Sequence, residues 1–201
     1  MLMTRFNAAL IAALSLSLTW PTSLHAEIQQ EAAASYIRAL FETSLRSGTA
    51  AASICPDVAK FGRFAAGHAW HGLPESERTR FAADFCGLAI DAVTRLRSAF
   101  PGLHLELEQV TPGAQGMVIV ASRVVRPARE PWAVKWVVAD DDDHLRLADL
   151  RILGISLGIF LRGLTALQAP LDTAHPANAA RILGPWRHAL DRAFPPPTSL
   201  P

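Results

Sequence analysis

The chain has one tyrosine and two cysteines among 201 residues, and neither sign of charge is in excess. Each shortage excludes something. Two cysteines are too few for a disulfide-stapled scaffold, so the fold has to rest on packed apolar side chains. With 19 Lys and Arg against 18 Asp and Glu the formal charge is +1, and setting aside an N-terminal stretch whose only charge is Arg5 leaves 18 of each sign. That balance carries no nucleic-acid footprint and no overall attraction to an anionic membrane. Past the N-terminus no apolar run approaches the roughly 20 residues that span a bilayer. Half of the residues are apolar, and the length suits one domain with a sizeable core.

Residues 1–26 read as a cleaved secretory signal. Arg5 precedes an apolar run from Ala8 to Leu18, Pro21 breaks it, and the small Ala26 suits the residue before a cut. The mature chain is then expected as one domain over 27–194, free in an exported, oxidising compartment, with a disordered tail over 195–201 that begins at Pro195-Pro196-Pro197.

Three helices are expected first. Ala33, Ile37, Leu40, Phe41 and Leu45 recur at helical spacing and Gly48 follows as a stop. Pro56 fits a first helical turn, and Val58, Phe61, Phe64, Ala65 and His68 mark the inner side of a second helix ending near Gly72. Pro74, Glu75 and Glu77 suit the first turn of a third, whose stripe is Phe81, Phe85, Leu88, Ala92 and Leu96. The period then changes to two. Leu103 to Leu107, Val118 to Val124, Trp132 to Val138 and Ala148 to Ile152 alternate as four strands, joined by turn-like segments at 111–115, 126–131 and 140–143. Short connections favour an antiparallel meander. At its end Gly154 permits an unusual dihedral, and Ser156 stands as N-cap of a helix beginning at Leu157, with Phe160, Leu161, Leu164 and Leu167 on its stripe. A last helix over 177–194 is expected to be interrupted at Gly184-Pro185. Helices, antiparallel sheet, then helices define an α+β fold.

Chemistry-bearing groups are sparse. His68 and His71 flank Trp70 at a spacing open to a metal, without a third ligand. Asp140 to Asp143 lack the Gly and distal Glu of a calcium loop and read as a hairpin tip. Arg123, Arg126 and Arg129 fit either a phosphate or ordinary exposed strand ends. His144 and Asp149 differ in strand parity, and no nucleophile motif accompanies them. Cys55 and Cys86 either pair in the oxidising compartment or stay as two small buried thiols.

The order of elements, with FGRFAAGHAWHGLPESERTRFAADF in the first half and LADLRILGISLGIFLRGL in the second, resembles the MlaC or toluene-tolerance family of periplasmic phospholipid-binding proteins. Trp70, Glu75, Glu77, Arg78, Phe81 and Phe85 match the first block, and Asp149, Gly154, Ser156 and Arg162 the second. The chain departs from the family at Leu145, commonly Trp, and near Ala148, commonly Tyr. The resemblance implies a four-stranded curved sheet that encloses an apolar cavity with the helices, a cone like those of NTF2-like and cystatin-like folds. It also implies a carrier, not an enzyme, needing no cofactor, whose cargo is phospholipid. Its partners would be an inner-membrane ABC transporter complex and an outer-membrane lipoprotein complex, and the carrier itself a monomer.

The residues expected to line the cavity are Phe61, Phe64, Phe81, Phe85, Val118, Val120, Val134, Trp136, Leu150, Ile152 and Phe160. Trp186 is expected away from it. Sequence alone does not separate a lined cavity from a filled core. The rival readings are a carrier for hopanoid-like lipid, an NTF2-like enzyme acting on a small apolar substrate, and a scaffold that binds only protein.

Overall fold

Hydrophobic periodicity changes from helical to alternating at Leu103, and the backbone changes with it. The computed structural model describes residues 22–45, 51–141, 144–168 and 178–195. Helices α1 (Thr22–Leu45), α2 (Ala51–Ala66), α3 (His68–His71) and α4 (Glu75–Ala99) come first. Strands β1 (His104–Pro112), β2 (Val118–Arg126), β3 (Arg129–Asp141), β4 (His144–Ile152) and β5 (Ile155–Ser156) follow, then α5 (Leu157–Gln168) and α6 (Ala179–Ala193). The proposed signal lies outside the described residues up to residue 21, as does the proposed tail beyond Pro195. Among the described residues no helix is long and apolar enough to cross a membrane.

The sheet is an antiparallel meander in the order β1-β2-β3-β4-β5, open at both edges. It has five strands where four were expected. The extra one is two residues long, pairing Ile155 with Ile152 and Ser156 with Arg151. Register shifts interrupt the β1–β2, β2–β3 and β3–β4 ladders. Such bulges bend a strand and deepen its twist, which curves the sheet.

One shift decides which β4 residues face inward. Val138 pairs with Leu147 but its neighbour Val137 pairs with Asp149, so Ala148 is the extra residue. Leu145 and Leu147 before it, and Leu150 and Ile152 after it, consequently reach the same core. A bulge interrupts a hydrogen-bond ladder. Here the N–H of Leu147 donates to the Tyr36 hydroxyl at 3.1 Å, so the chain's single tyrosine completes the ladder from α1.

Two apolar clusters fill the interior. The first packs Ala33, Ile37 and Leu40 of α1 on the sheet face made by Val118, Val120, Val124, Val134, Trp136, Val138 and Leu147. The second lies among the helices: Phe61, Ala65 and Ala66 of α2, Phe81, Phe85 and Leu88 of α4, and Ile182, Leu183 and Trp186 of α6. Gly62 lets α2 and α4 close together, since a Cβ there would lie 2.5 Å from the Phe85 ring. Trp186, expected away from the cavity, is edge-on to Phe81 and Phe85. Its indole N–H donates to the Leu161 carbonyl and the Thr165 hydroxyl of α5.

Other expectations are corrected here. Pro56 lies beyond the first turn of α2, which begins at Ala51. That helix ends at Ala66, with Gly67 at φ +58 before the short α3. Helix α6 runs unbroken through Pro185, which is buried between the packed Ile182, Leu183 and Trp186. Its start is fixed by Asn178, whose side chain accepts from the Arg181 N–H at 2.9 Å, and by Glu77, which accepts from the Ala179 N–H at 2.8 Å. Near its C-terminus, Arg95 of α4 holds Asp91, Asp191 and the Phe194 carbonyl. The hydrogen bonds that Arg95 donates to Asp91, and next to Asp191, raise its pKa.

Cys55 and Cys86 are free thiols brought together by the packing of α2 on α4, and the Cys86 thiol donates to the Cys55 carbonyl at 3.2 Å. Burial, then the hydrogen bond and charge of Cys55, push the Cys86 thiol up to about 12. The thiol form therefore predominates near neutral pH, and the thiol is a poor nucleophile there. Iodoacetamide should leave Cys86 unmodified in the native protein between pH 7 and 9, and both thiols should react after unreduced unfolding. Fewer than two reactive thiols in that unfolded sample would reveal a disulfide instead.

Tyr36→Phe should leave the Leu147 N–H without its partner at a cost of about 1–2 kcal/mol. The check is a lower urea midpoint at unchanged m-value.

Candidate functional site

The stretch from Asp149 to Arg162 is where the sheet passes the chain to the helices. Ile152 and Ile155 pair across a two-residue turn, Leu153 at φ 52 and Gly154 at φ 84. Two positive φ values are the pattern of a type I′ hairpin, whose backbone twist matches the flanking strands. The glycine expected to take an unusual dihedral does so. Ser156 caps α5 as its position suggests, its hydroxyl accepting from the Ile159 N–H at 3.2 Å. The same hydroxyl donates to the Asp149 carboxylate at 2.9 Å, and the Gly158 N–H lies 3.5 Å from that oxygen. One carboxylate on β4 therefore orients the cap and faces the first turn of the next helix, where negative charge is favourable.

Further along α5, Gly158 is the floor on which the Phe64 ring lies; a Cβ there would be 2.6 Å from that ring. Arg162, one turn further along α5, also lies over the ring. Its guanidinium lies 4.7 Å from the ring centroid and donates to the Phe64 carbonyl at 2.6 Å. Gly67, where α2 ends, leaves room for that arginine. Asp149, Gly154, Ser156 and Arg162 thus act together: they seat α5 between β4 and the end of α2.

The eleven residues expected to line one cavity fall into three groups. Val118, Val120, Val134, Trp136, Leu150 and Ile152 share one sheet face, with Val120, Trp136 and Leu150 opposite one another across three strands and Val134 beside Ile152. The Trp136 indole N–H donates to Ser122 at 2.9 Å, and Ser122 in turn donates to the Val134 carbonyl, so this apolar face contains one satisfied polar pair. Phe61, Phe81 and Phe85 lie in the helical cluster, Phe81 stacked on Phe85 with centroids 5.9 Å apart. Phe64 and Phe160 belong to neither: they are 45% and 49% exposed beside the join. The structure brings together six, and separately three, and leaves two on the surface.

Grooves open on the described surface, and two are defined by the residues around them. One of about 610 Å³ lies where α1 meets the start of β1, between Arg38, Glu42, Arg97 and His104. The other, about 500 Å³, lies beside the join, where Arg63, Phe64, His68, Trp70, His71 and Arg162 surround it. Periodicity gave no sign of this second groove, although its residues stand in the two sequence blocks.

The remaining candidates are mostly structural. Arg123 pairs with Glu106 and Glu108 on the outer sheet face, and Arg126 stacks over Trp132 at 3.9 Å. Arg129 is exposed at the start of β3. His144 pairs with Asp141 at the β3–β4 hairpin, five residues from Asp149, and residues 142–143 lie outside the described residues. Among the described residues no three His, Cys, Asp or Glu side chains converge.

Gly154→Val should destabilise the fold by about 1–3 kcal/mol. The cost comes from the dihedral alone, since a Cβ at Gly154 meets nothing within 4 Å. An unchanged melting temperature would mean that the turn relaxes to another type.

Comparison with known proteins is consistent with this architecture. A solved structure of a phospholipid-binding protein from Ralstonia solanacearum, in complex with a phospholipid, superposes with a TM-score of 0.52 at 15% identity, covering 85% of this chain and 93% of that one. At that identity the likeness establishes the fold. No curated protein sequence matches the chain. The family described as MlaC protein matches over residues 27–162, from the residue after Ala26 to the arginine that covers Phe64, and the chain belongs to that family.

Proposed function

We propose that this protein is a periplasmic carrier that binds phospholipid by its acyl chains and shuttles it between the inner and outer membranes. It is exported by a leader cleaved after Ala26 and works as a monomer. An inner-membrane ABC transporter complex and an outer-membrane lipoprotein complex are its partners. The observation that carries this reading is the family match over 27–162. The Ralstonia solanacearum structure, described as a phospholipid-binding protein in complex with a phospholipid, supports the choice of cargo.

The interior suits the task. Acyl chains need dry apolar surface and no reactive group, because each buried CH₂ contributes about 0.8 kcal/mol. Here the apolar side chains form two clusters, and the helical one reaches the sheet largely through α2 and α5 against β4. Acyl chains entering that seam would meet Leu150, Ile152 and Trp136 on one side and the Phe61, Phe81 and Phe85 group on the other. Phe64 and Phe160 would stand at its mouth.

The test is the lipid content of mature protein purified from a periplasm, identified by mass spectrometry, which also separates phospholipid from hopanoid-like lipid. Trp136→Glu should lower lipid per folded protein at least about tenfold by placing an unpaired carboxylate in the apolar space. Ala83→Glu, on the exposed side of α4, should leave it unchanged. Wild-type protein that carries no lipid and extracts none from liposomes would overturn the proposal.

A further inference from the structure

Four large apolar side chains within eight residues of the join face solvent: Leu153, Ile155, Ile159 and Phe160. The first three are 65%, 64% and 66% exposed. Single exposed apolar residues are ordinary on any protein, but a contiguous group is characteristic of surfaces that meet a partner or a membrane. Leu153 adds an independent observation. It holds φ 52 in the two-residue turn, a position that Asn, Asp or Gly fills without strain and a bulky residue does not. A strained, exposed leucine at a hairpin tip costs stability and contributes nothing to the core.

Cations outnumber carboxylates around this tip. Arg151 precedes it with Lys135 opposite on β3. Arg162 lies one helical turn beyond Ile159, and Arg63 joins Arg162 around the groove of about 500 Å³, together with His68, His71, Phe64 and Trp70. Arg63 and Lys135 have no ion pair among the described residues. The carboxylate inside the group, Asp149, is occupied by Ser156, Gly158 and Arg151. The chain is neutral overall, yet the segments that carry and adjoin these aliphatic side chains hold more cations than carboxylates.

We infer that this end of the molecule docks on an anionic phospholipid bilayer, with Leu153, Ile155, Ile159 and Phe160 entering the boundary between headgroups and acyl chains while Arg63, Arg151 and Arg162 meet lipid phosphates. Aliphatic and aromatic side chains flanked by Arg and Lys are the composition of interfacial anchors, which combine apolar burial with attraction to negative headgroups. A protein partner with an acidic rim is the competing occupant. The bilayer is favoured because the exposed apolar side chains belong to a hairpin tip and the first turn of a helix, next in the fold to Arg63 and Lys135, which have no ion pair among the described residues. That combination of aliphatic tip and available cation is the one anionic headgroups attract. The docking surface goes beyond the carrier reading, since it stands on exposed side chains rather than on the cargo space.

Cosedimentation of the full mature protein with phosphatidylcholine vesicles, and with vesicles that also contain phosphatidylglycerol, tests it. Wild type should bind the anionic vesicles and lose that binding as salt rises. Leu153→Asn relieves the turn while removing the apolar tip, so it should melt no lower than wild type yet bind at least about tenfold more weakly. Ile155→Ser with Ile159→Ser should act in the same direction. Replacing both Arg63 and Arg151 with Gln should weaken binding by about thirtyfold at low salt, as expected for two lost basic contacts of the usual strength.

Wild type that ignores anionic vesicles overturns the inference, as does undiminished binding by a folded Leu153→Asn. Equal binding to neutral and anionic vesicles overturns the phosphate contacts. Copurified lipid, measured on the same samples, keeps this separate from the carrier reading. Leu153→Asn should retain the wild-type load, and loss of load together with vesicle binding would assign the tip to the cargo site instead. Vesicle binding through the tip by a protein that carries no lipid would leave the docking surface standing and remove the carrier.

Discussion

A strand that ends against a helical layer must hand its chain to a helix without wasting backbone donors, and the Asp149 carboxylate governs that transfer here. It accepts from the Ser156 hydroxyl and faces the Gly158 N–H, and Ser156 accepts from Ile159. The first turn of α5 is thereby fixed relative to β4. Everything that joins the two halves of the molecule on this side depends on that placement. Helix α5 touches α2, α6 and β4, and its Leu157, Leu161 and Leu164 pack into the helical cluster while the strand before it packs into the sheet cluster. Losing the carboxylate would free the helix from the strand rather than empty a core.

A second connection lies at the far end of α4. Phe100, just beyond that helix, meets Trp132 of β3 and Phe194 beyond α6, with Arg126 over both Phe100 and Trp132. Helix α4 has 25 residues, so its ends are about 37 Å apart. At its other end Phe81 contacts Trp70, next to the groove that borders the join. The helical layer is therefore fastened to the sheet through Phe100 at one end of α4, while the other end packs on α3 beside the join.

The strand faces were legible because alternation is a strict period of two. Val118, Val120, Val134 and Trp136 are on the face their parity predicts. The bulge at Ala148 was not legible, since an extra residue changes parity without leaving a compositional mark, and only the structure shows Tyr36 reaching Leu147. Helical stripes placed Phe61, Phe81 and Phe85 correctly in a core but misplaced Phe64. It shares the stripe of Phe61, yet it lies next to the end of α2, against Gly158 and Arg162 of α5. Pro185 misled for a related reason: propensity predicts a break, and the packing of Ile182 and Trp186 around it overrides propensity. That the lining residues belong to two clusters rather than one is a fact of tertiary arrangement that no periodicity records.

The join carries two burdens that ordinary folding would not place together. Its inner side is satisfied almost completely, through Asp149, Ser156, Gly158 and Arg162, while its outer side keeps a leucine in a left-handed conformation and three further apolar side chains exposed. A turn of this type folds more readily with Asn at the first position, and the exposed isoleucines add no buried area to either cluster. The backbone geometry is fixed from within, so the tip does not need its leucine to form. Strain at Leu153 is tolerable because the surrounding hydrogen bonds over-determine the turn. That separation, a rigid inner side that sets the geometry and an outer side free to vary, lets an apolar tip project at a constant angle. The same helix start, seated by Asp149, holds the tip next to the place where Gly158 and Arg162 meet Phe64 at the end of α2.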